Sequence, residues 1–190
     1  LSSGAGLYFH TIKSQTVIVA FESPSSGAAG GLLVSAIYHQ VDEIVKGLGI
    51  TSPSLILKEF EDRLESIFPA GVPFAGGVAS AACPYDNSAK TLTYSGANYA
   101  LYESYKGEIN CHKGSDISLL NNDSVADQPS IIVECNKGKC FYLSTHSYWN
   151  QTGGQEYKPF GETAFRATLS SIQKQSIDQQ KQILAKVYNE

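Results

Sequence analysis

The 190-residue chain has no methionine, one tryptophan and few charged residues, and each scarcity narrows what the protein can be. Charged residues make up 17% of the chain, the formal net charge is -4, and no lysine or arginine cluster occurs. These features argue against a nucleic-acid-binding protein. No apolar run approaches membrane-spanning length, and no signal peptide is visible. Because the sequence begins at Leu1, we expect a fragment or a processed product, so the missing targeting signal carries little weight.

The hydrophobic content of 42% is enough for one core, and the length fits a single domain over residues 1–190. The four cysteines do not form a zinc pattern, because no close pair is matched by a second close pair. Cys135 and Cys140 flank a predicted turn at 136–139, which would place them opposite each other on a hairpin, within reach of a disulfide. The alternative is two reduced, half-buried thiols, which an intracellular compartment favours.

Hydrophobic periodicity predicts strands in the first part of the chain, then two helices, then further strands, then two more helices. The early strands lie within 7–21 and are followed by a polar turn at 23–27. The first helix, at 28–48, has an apolar face that includes Leu32 and Leu48, and the second helix begins after Ser52 and places Leu55 and Ile67 on its buried side. Further strands are predicted at 77–83, 91–95, 101–104 and 108–111, a hairpin at 130–135 and 140–145, and loops at 69–77 and 121–129.

The C-terminal part is predicted to be helical. Phe165, Leu169 and Ile172 mark one helix. Ser176 opens the last helix, with Gln179 three residues on, the spacing of a capping box. Strands and helices are segregated rather than alternating along the chain, which indicates a layered α+β fold.

Several motifs carry a resemblance to a known family. The chain opens with SGAGLY at residues 3–8, and a hydrophobic strand ending at Glu22 leads into a helix rich in small residues. A later strand pair contains LTYSGANYALY at 92–102, and GKCFYLSTHS follows at 138–147. Two further glycine-containing pieces, QTGG and KPFG, come after it. In this order and spacing, over residues 3–188, the sequence resembles the SpoIIE-type serine/threonine phosphatase domains of the metal-dependent PPM group.

The resemblance implies a four-layer α-β-β-α sandwich of two antiparallel sheets flanked by helices, which agrees with the order of the predicted elements. It also implies two manganese or magnesium ions that activate a bridging water and are held mainly by carboxylates. This chain departs from that pattern at each position that would hold the metals. The departing positions are Ala5 (or Gly6 if the register slips), Glu22, Ser23, His146, Ser147 and Asn150. The closing strand of the family, with its acidic pair, would follow Glu190, where the sequence ends.

Glu22 is therefore the single carboxylate expected at the metal positions. Glu22 and His146 together could bind one borderline ion such as zinc, but two ligands are too few for a stable site. The simpler interpretation makes Glu22 a surface carboxylate at a strand end and His146 a polar side chain that fills the cleft. We therefore predict a catalytically inactive domain without a metal cofactor. The alternative is an active phosphatase in which manganese or magnesium binds a divergent site.

The resemblance also implies how such a domain would act. A protein partner is expected, either a phosphoprotein or a partner-switching regulator, or else a second copy of the chain that forms a homodimer through the helices at about 28–68. No nucleic acid and no membrane contact within this segment are expected, and the resemblance implies a bacterial, cytoplasmic signalling domain. A third possibility is an assembly module whose open sheet edge accepts a partner strand.

Overall fold

The computed structural model describes residues 3–68, 77–120, 129–153 and 158–189. Within these ranges the strands are β1 (Ser3–Ile12), β2 (Gln15–Ser26), β3 (Ala79–Ala82), β4 (Tyr85–Asp86), β5 (Thr91–Ala97), β6 (Leu101–Tyr105), β7 (Glu108–His112), β8 (Ile131–Glu134), β9 (Cys140–Leu143), β10 (Thr152–Gly153) and β11 (Lys158–Pro159). The helices are α1 (Gly27–Asp42), α2 (Pro53–Ile67), α3 (His146–Trp149), α4 (Gly161–Ile172) and α5 (Ile177–Asn189), and a short π-helix, Glu43–Gly47, continues α1.

The first sheet is built around β2, whose apolar run is buried on both faces. Among the described residues its strand order is β1-β2-β3-β5-β4, with β8 paired to β5, and all pairings are antiparallel. Val17, Val19 and Phe21 pack against α1 and α2. Ile18 and Ala20 point to the opposite face, toward the second sheet. A continuous rather than alternating run of apolar residues is what a strand covered on both faces requires.

The second sheet has the order β7-β6-β9 in the described part of the chain, and it lies over the inner face of the first sheet. The layer between the sheets includes Tyr94, Leu101 and Ala81. On the outer face of β6, Tyr102 packs against Phe165 and other residues of α4. The layers are thus helices, sheet, sheet, helices, and the predicted α+β sandwich is confirmed.

Several local predictions are also confirmed by the structure. The strands predicted at 91–95, 101–104 and 108–111 correspond to β5, β6 and β7. Phe165, Leu169 and Ile172 are buried on α4. At the start of α5, the Ser176 amide donates to Gln179 Oε1 at 3.0 Å, and the Gln179 amide donates to Ser176 Oγ at 3.3 Å. These reciprocal bonds are a capping box.

The predicted hairpin at 130–135 and 140–145 is wrong. Both strands form, but β8 pairs with β5 in the first sheet and β9 pairs with β6 in the second. The intervening segment crosses from one sheet to the other, so Cys135 and Cys140 do not face each other on paired strands. Both are free thiols. The turn signal at 136–139 was local, whereas the choice of pairing partner depends on which strand edges remain open.

Two further predictions need correction. The polar turn predicted at 23–27 is mostly strand, because β2 continues to Ser26 and pairs with the start of β1 across a β-bulge. On the first two helices, Leu32, Leu48, Leu55 and Ile67 are exposed rather than buried, with Leu32 at 74% exposure. Each lies outside the stripe that faces the sheet, where Leu33 and Ile37 on α1 and Ile56 and Leu57 on α2 are buried instead.

Most of the predicted loops at 69–77 and 121–129, as well as Gly154 of the glycine pair, lie outside the described residues. Within the described ranges, no helix has both the length and the apolar character needed to cross a bilayer.

Candidate functional site

The candidate site lies where β2 and β9 end at the same edge of the sandwich. The carboxylate of Glu22, near the end of β2, meets the first turn of α3, which begins three residues after β9. Glu22 Oε2 accepts from the backbone amide of His146 at 2.7 Å and lies 3.2 Å from His146 Nδ1, close enough to accept from it. Glu22 Oε1 accepts from the backbone amide of Ser147 at 3.2 Å and from Ser147 Oγ. Each carboxylate oxygen therefore has two partners.

Glu22 thus acts as the cap of α3. The donors at the start of this helix have no partner within the helix, and a carboxylate is a favourable acceptor for them. The Glu22 side chain is only 12% exposed, so it is not the surface carboxylate that one sequence interpretation proposed. Burial alone would raise the pKa of Glu22, but the hydrogen bonds from His146 and Ser147 outweigh it and hold the pKa below its ordinary value.

The strand register decides which early residue faces Glu22. Ala5 is the direct partner of Glu22 across β1 and β2, so their side chains share a face. Gly6 pairs with Phe21 instead. A Cβ added at Gly6 would lie 2.3 Å from an atom of the Phe21 ring, so the glycine is explained by core packing. Of the two positions that the sequence left open, only Ala5 lies beside the Glu22 carboxylate.

The remaining predicted positions lie around the same cleft. Ser23 is buried, and its Oγ accepts from the Ser25 amide at 3.3 Å. The Asn150 amide donates to the carbonyl of His146 at 3.0 Å and closes the single turn of α3. Glu22, Ser23, His146, Ser147 and Asn150 all line one cleft of about 390 Å³. The structure therefore brings these five positions into one cleft, while Ala5 and Gly6 lie on β1 and are not among its lining residues.

Two polar side chains of the cleft, those of Asn98 and Ser118, were not predicted as site residues. Asn98 adopts a left-handed backbone conformation, with φ of 49°, in the loop between β5 and β6. Its Nδ2 donates to Ser118 Oγ at 3.0 Å, and both residues line the cleft. Asn98 belongs to the Gly-Ala-Asn part of the motif at 92–102, so the sequence alone could have identified it as a candidate site residue. Its contact with Ser118, twenty residues later, could not be predicted from the sequence.

Like Asn98, His146 lines both this cleft and a second, smaller pocket of about 160 Å³. Its imidazole ring lies 5.3 Å from the Trp149 ring and 6.2 Å from the Tyr99 ring, both in edge-to-face geometry. Burial raises the pKa of Tyr99 well above its ordinary value, so its phenol stays neutral. Neutral aromatic rings thus lie against the His146 imidazole.

Comparison with known structures identifies the fold. The SiaA-PP2C domain of Pseudomonas aeruginosa superposes with a TM-score of 0.86 at 23% identity, and the match covers 98% of this chain and 74% of that one. The RsbU and RsbW domains of Rv1364c from Mycobacterium tuberculosis give 0.79 at 14% identity, covering 99% of this chain and 51% of that one. The SpoIIE phosphatase domain with a regulatory fragment from Bacillus subtilis gives 0.77 at 8% identity, with coverage of 100% and 53%.

The chain has the PP2C fold. At these identities the likeness is one of fold, and it confirms the architecture that the SpoIIE-type motifs implied. The chain spans about half the length of the second and third of these structures. No protein-family model matches the sequence, and no curated protein matches it.

The residues at the PP2C-fold cleft do not fit a pair of hard divalent cations. Such ions take several oxygen ligands, mostly carboxylates. Here the carboxylate of Glu22 already accepts four hydrogen bonds. The side chain of Ala5, opposite Glu22, has no atom that can bind a metal, and the His146 side chain has nitrogen rather than oxygen as its ligand atom. Among the described residues, no group of three or more His, Cys, Asp or Glu side chains is arranged to hold a metal ion.

Proposed function

We propose that this chain is a catalytically inactive PP2C-fold domain of the SpoIIE type that acts as a protein-binding regulatory module in bacterial signalling, in the cytoplasm. The observation that carries the proposal is the hydrogen bonding of Glu22, whose two oxygens each accept two bonds from the start of α3. A carboxylate used in this way stabilises the chain itself.

The physical argument concerns competition for the same oxygen atoms. Displacing the backbone amides of His146 and Ser147 from Glu22 costs roughly 1–3 kcal/mol for a buried amide and less at Ser147, which is exposed. A divalent cation at this site would have to displace both. It would also need further negative ligands to offset its dehydration. Ala5, directly opposite Glu22, provides none.

The proposed partner is a protein, either a phosphoprotein or a partner-switching regulator. This proposal rests on the structural neighbours, two of which carry in their names the RsbU and RsbW domains and the bacterial stressosome. The stressosome structure matches with a TM-score of 0.56 over 75% of this chain. The assembly partners belong to those proteins, and a protein partner for this chain is part of the proposal.

Self-association through the first two helices is a related proposal. Leu32 on α1 is 74% exposed and Leu55 on α2 is 55% exposed, so apolar side chains of residues 28–68 reach the solvent. If a dimer buries these side chains, the Leu32→Ser variant should sediment as a monomer in sedimentation equilibrium, whereas wild type should sediment as a dimer. Unchanged sedimentation of that variant, or a wild-type monomer at high concentration, would contradict self-association through this face.

The alternative is an active phosphatase with manganese or magnesium at a divergent site, and the open cleft of about 390 Å³ beside Glu22 is the feature that favours it. Hydrolysis of p-nitrophenyl phosphate and of a phosphoserine peptide should be measured across a manganese titration, with an active PP2C domain as positive control. We expect wild type and Glu22→Ala to remain at the blank rate, and calorimetry to show no manganese binding. Metal-dependent turnover that Glu22→Ala abolishes would establish the alternative.

A further inference from the structure

The smaller pocket adjoins the cleft of the proposed inactive centre and shares Asn98 and His146 with it. It lies between the loop after β7, the start of β6 and the first turn of α4. Its floor consists of Tyr99, Tyr102 and Trp149, which are 4%, 1% and 8% exposed. The Tyr102 and Trp149 rings stand edge to face at a centroid distance of 6.0 Å. The floor is therefore aromatic and closely packed.

The mouth of the pocket has a different character. Glu162, in the first turn of α4, is half-buried and accepts from the Tyr102 hydroxyl at 3.1 Å. Asp116 and Lys113 are exposed on the loop opposite. The lining thus holds two carboxylates and one ammonium. The nearby Arg166 guanidinium donates to the carbonyl of Ile109 at 2.9 Å.

We propose that this pocket receives one arginine side chain from a protein segment bound across the adjoining cleft. The proposal rests on the protein-binding function proposed above and names the chemistry of the segment. A volume of about 160 Å³ is close to the size of cavity that accepts a benzene-sized group, which suits a planar guanidinium. A guanidinium can pack over the accessible edge of an aromatic ring such as that of Trp149 while it donates to the carboxylates of Glu162 and Asp116.

The chain offers a direct probe of this pocket, because its one tryptophan lies in the pocket floor. In ¹⁵N-labelled protein, the single indole signal of Trp149 should shift saturably with N-acetyl-arginine amide. N-acetyl-citrulline amide has nearly the same shape but no charge, and it should produce little shift. N-acetyl-glutamate amide should produce none. A citrulline or glutamate analogue that binds as well as the arginine analogue would overturn the proposal.

The variant Glu162→Gln should weaken binding of the arginine analogue by roughly two- to fivefold, which lies within the usual range for one partly exposed ion pair. Glutamine keeps an oxygen that can accept from Tyr102, so the floor is preserved. Glu108→Gln removes the same charge from an exposed position on β7 and should leave binding unchanged. If Glu162→Gln folds poorly, Asp116→Asn at the exposed rim provides the second variant. Equal binding by wild type and a folded carboxylate variant would contradict the proposal.

These outcomes are separable from those of the phosphatase assay. Metal-dependent turnover would refute the proposed inactive centre but would not change the indole shift expected with the arginine analogue. An indole signal that does not respond to arginine would refute the pocket proposal alone.

Discussion

Removing the Glu22 carboxylate should destabilise the protein, and the sign of the effect distinguishes a helix cap from a metal ligand. In Glu22→Ala, the amides of His146 and Ser147 lose a charged acceptor that is 12% exposed. Hydrogen bonds to charged groups contribute about 1.5–3 kcal/mol each, and loss of a helix cap costs about 0.5–2 kcal/mol. Water from the cleft can replace part of this bonding, so we expect a loss of about 2 kcal/mol.

A loss of that size lowers the melting temperature of a domain of this length by roughly 4–8 °C. Glu22→Gln keeps one acceptor oxygen and should lose roughly half as much. Glu65→Gln, at an exposed position on α2, is the matched control and should melt like wild type. The measurement is thermal unfolding followed by circular dichroism in buffer with chelator.

The opposite result is what a metal centre would give. Carboxylates gathered for a cation repel one another in its absence, so removing one is neutral or stabilising. A melting temperature for Glu22→Ala that is unchanged or raised in chelator would therefore refute the assignment of Glu22 as the cap of α3. A rise in the melting temperature of wild type on addition of manganese that Glu22→Ala does not show would refute it as well.

Two further predictions concern the core and the inter-sheet layer. Burial opposes ionisation of Glu103, but its ion pair with Lys139, at 2.6 Å, and its bond with a histidine hold the pKa of this carboxyl below the ordinary value. Stability from Glu103 is therefore present above the pKa of the unfolded chain and lost as the pH falls through the folded pKa. Denaturant titrations below about pH 4.5 should show that loss, and Glu103→Gln should flatten it; identical slopes in both proteins would contradict this. Gly6→Ala should destabilise by roughly 1–3 kcal/mol, because its Cβ would strike a buried phenylalanine ring. Gly31→Ala, with open space on α1, should be neutral or stabilising, and equal effects of the two substitutions in urea unfolding would contradict the packing argument.

Local sequence signals predicted most of the elements. The turn between β6 and β7, the capping box at Ser176 and the apolar run of β2 each depend on residues within a few positions of one another. Their physical causes are short-range: turn geometry, cap hydrogen bonds and strand propensity. Such causes can be read from the order of the residues alone.

The candidate site depended on contacts between distant parts of the chain. The sequence identified Glu22 and His146 as members of one set of positions, through motifs in a family-like order. It did not predict that the Glu22 carboxylate accepts from the start of α3, more than 120 residues later. The sequence interpretation of a surface carboxylate assumed an exposed strand end, whereas α3 covers it.

By itself the sequence determined the order of strand and helix segments, the layered α+β class and the identity of the side chains at the positions that the resemblance assigned to metals. Only the tertiary structure decided that β8 and β9 join different sheets, that Ala5 rather than Gly6 faces Glu22, and that the remaining carboxylate caps a helix. The reason is that strand pairing and side-chain hydrogen bonding are settled by which edges and donors remain unsatisfied once the sandwich has closed.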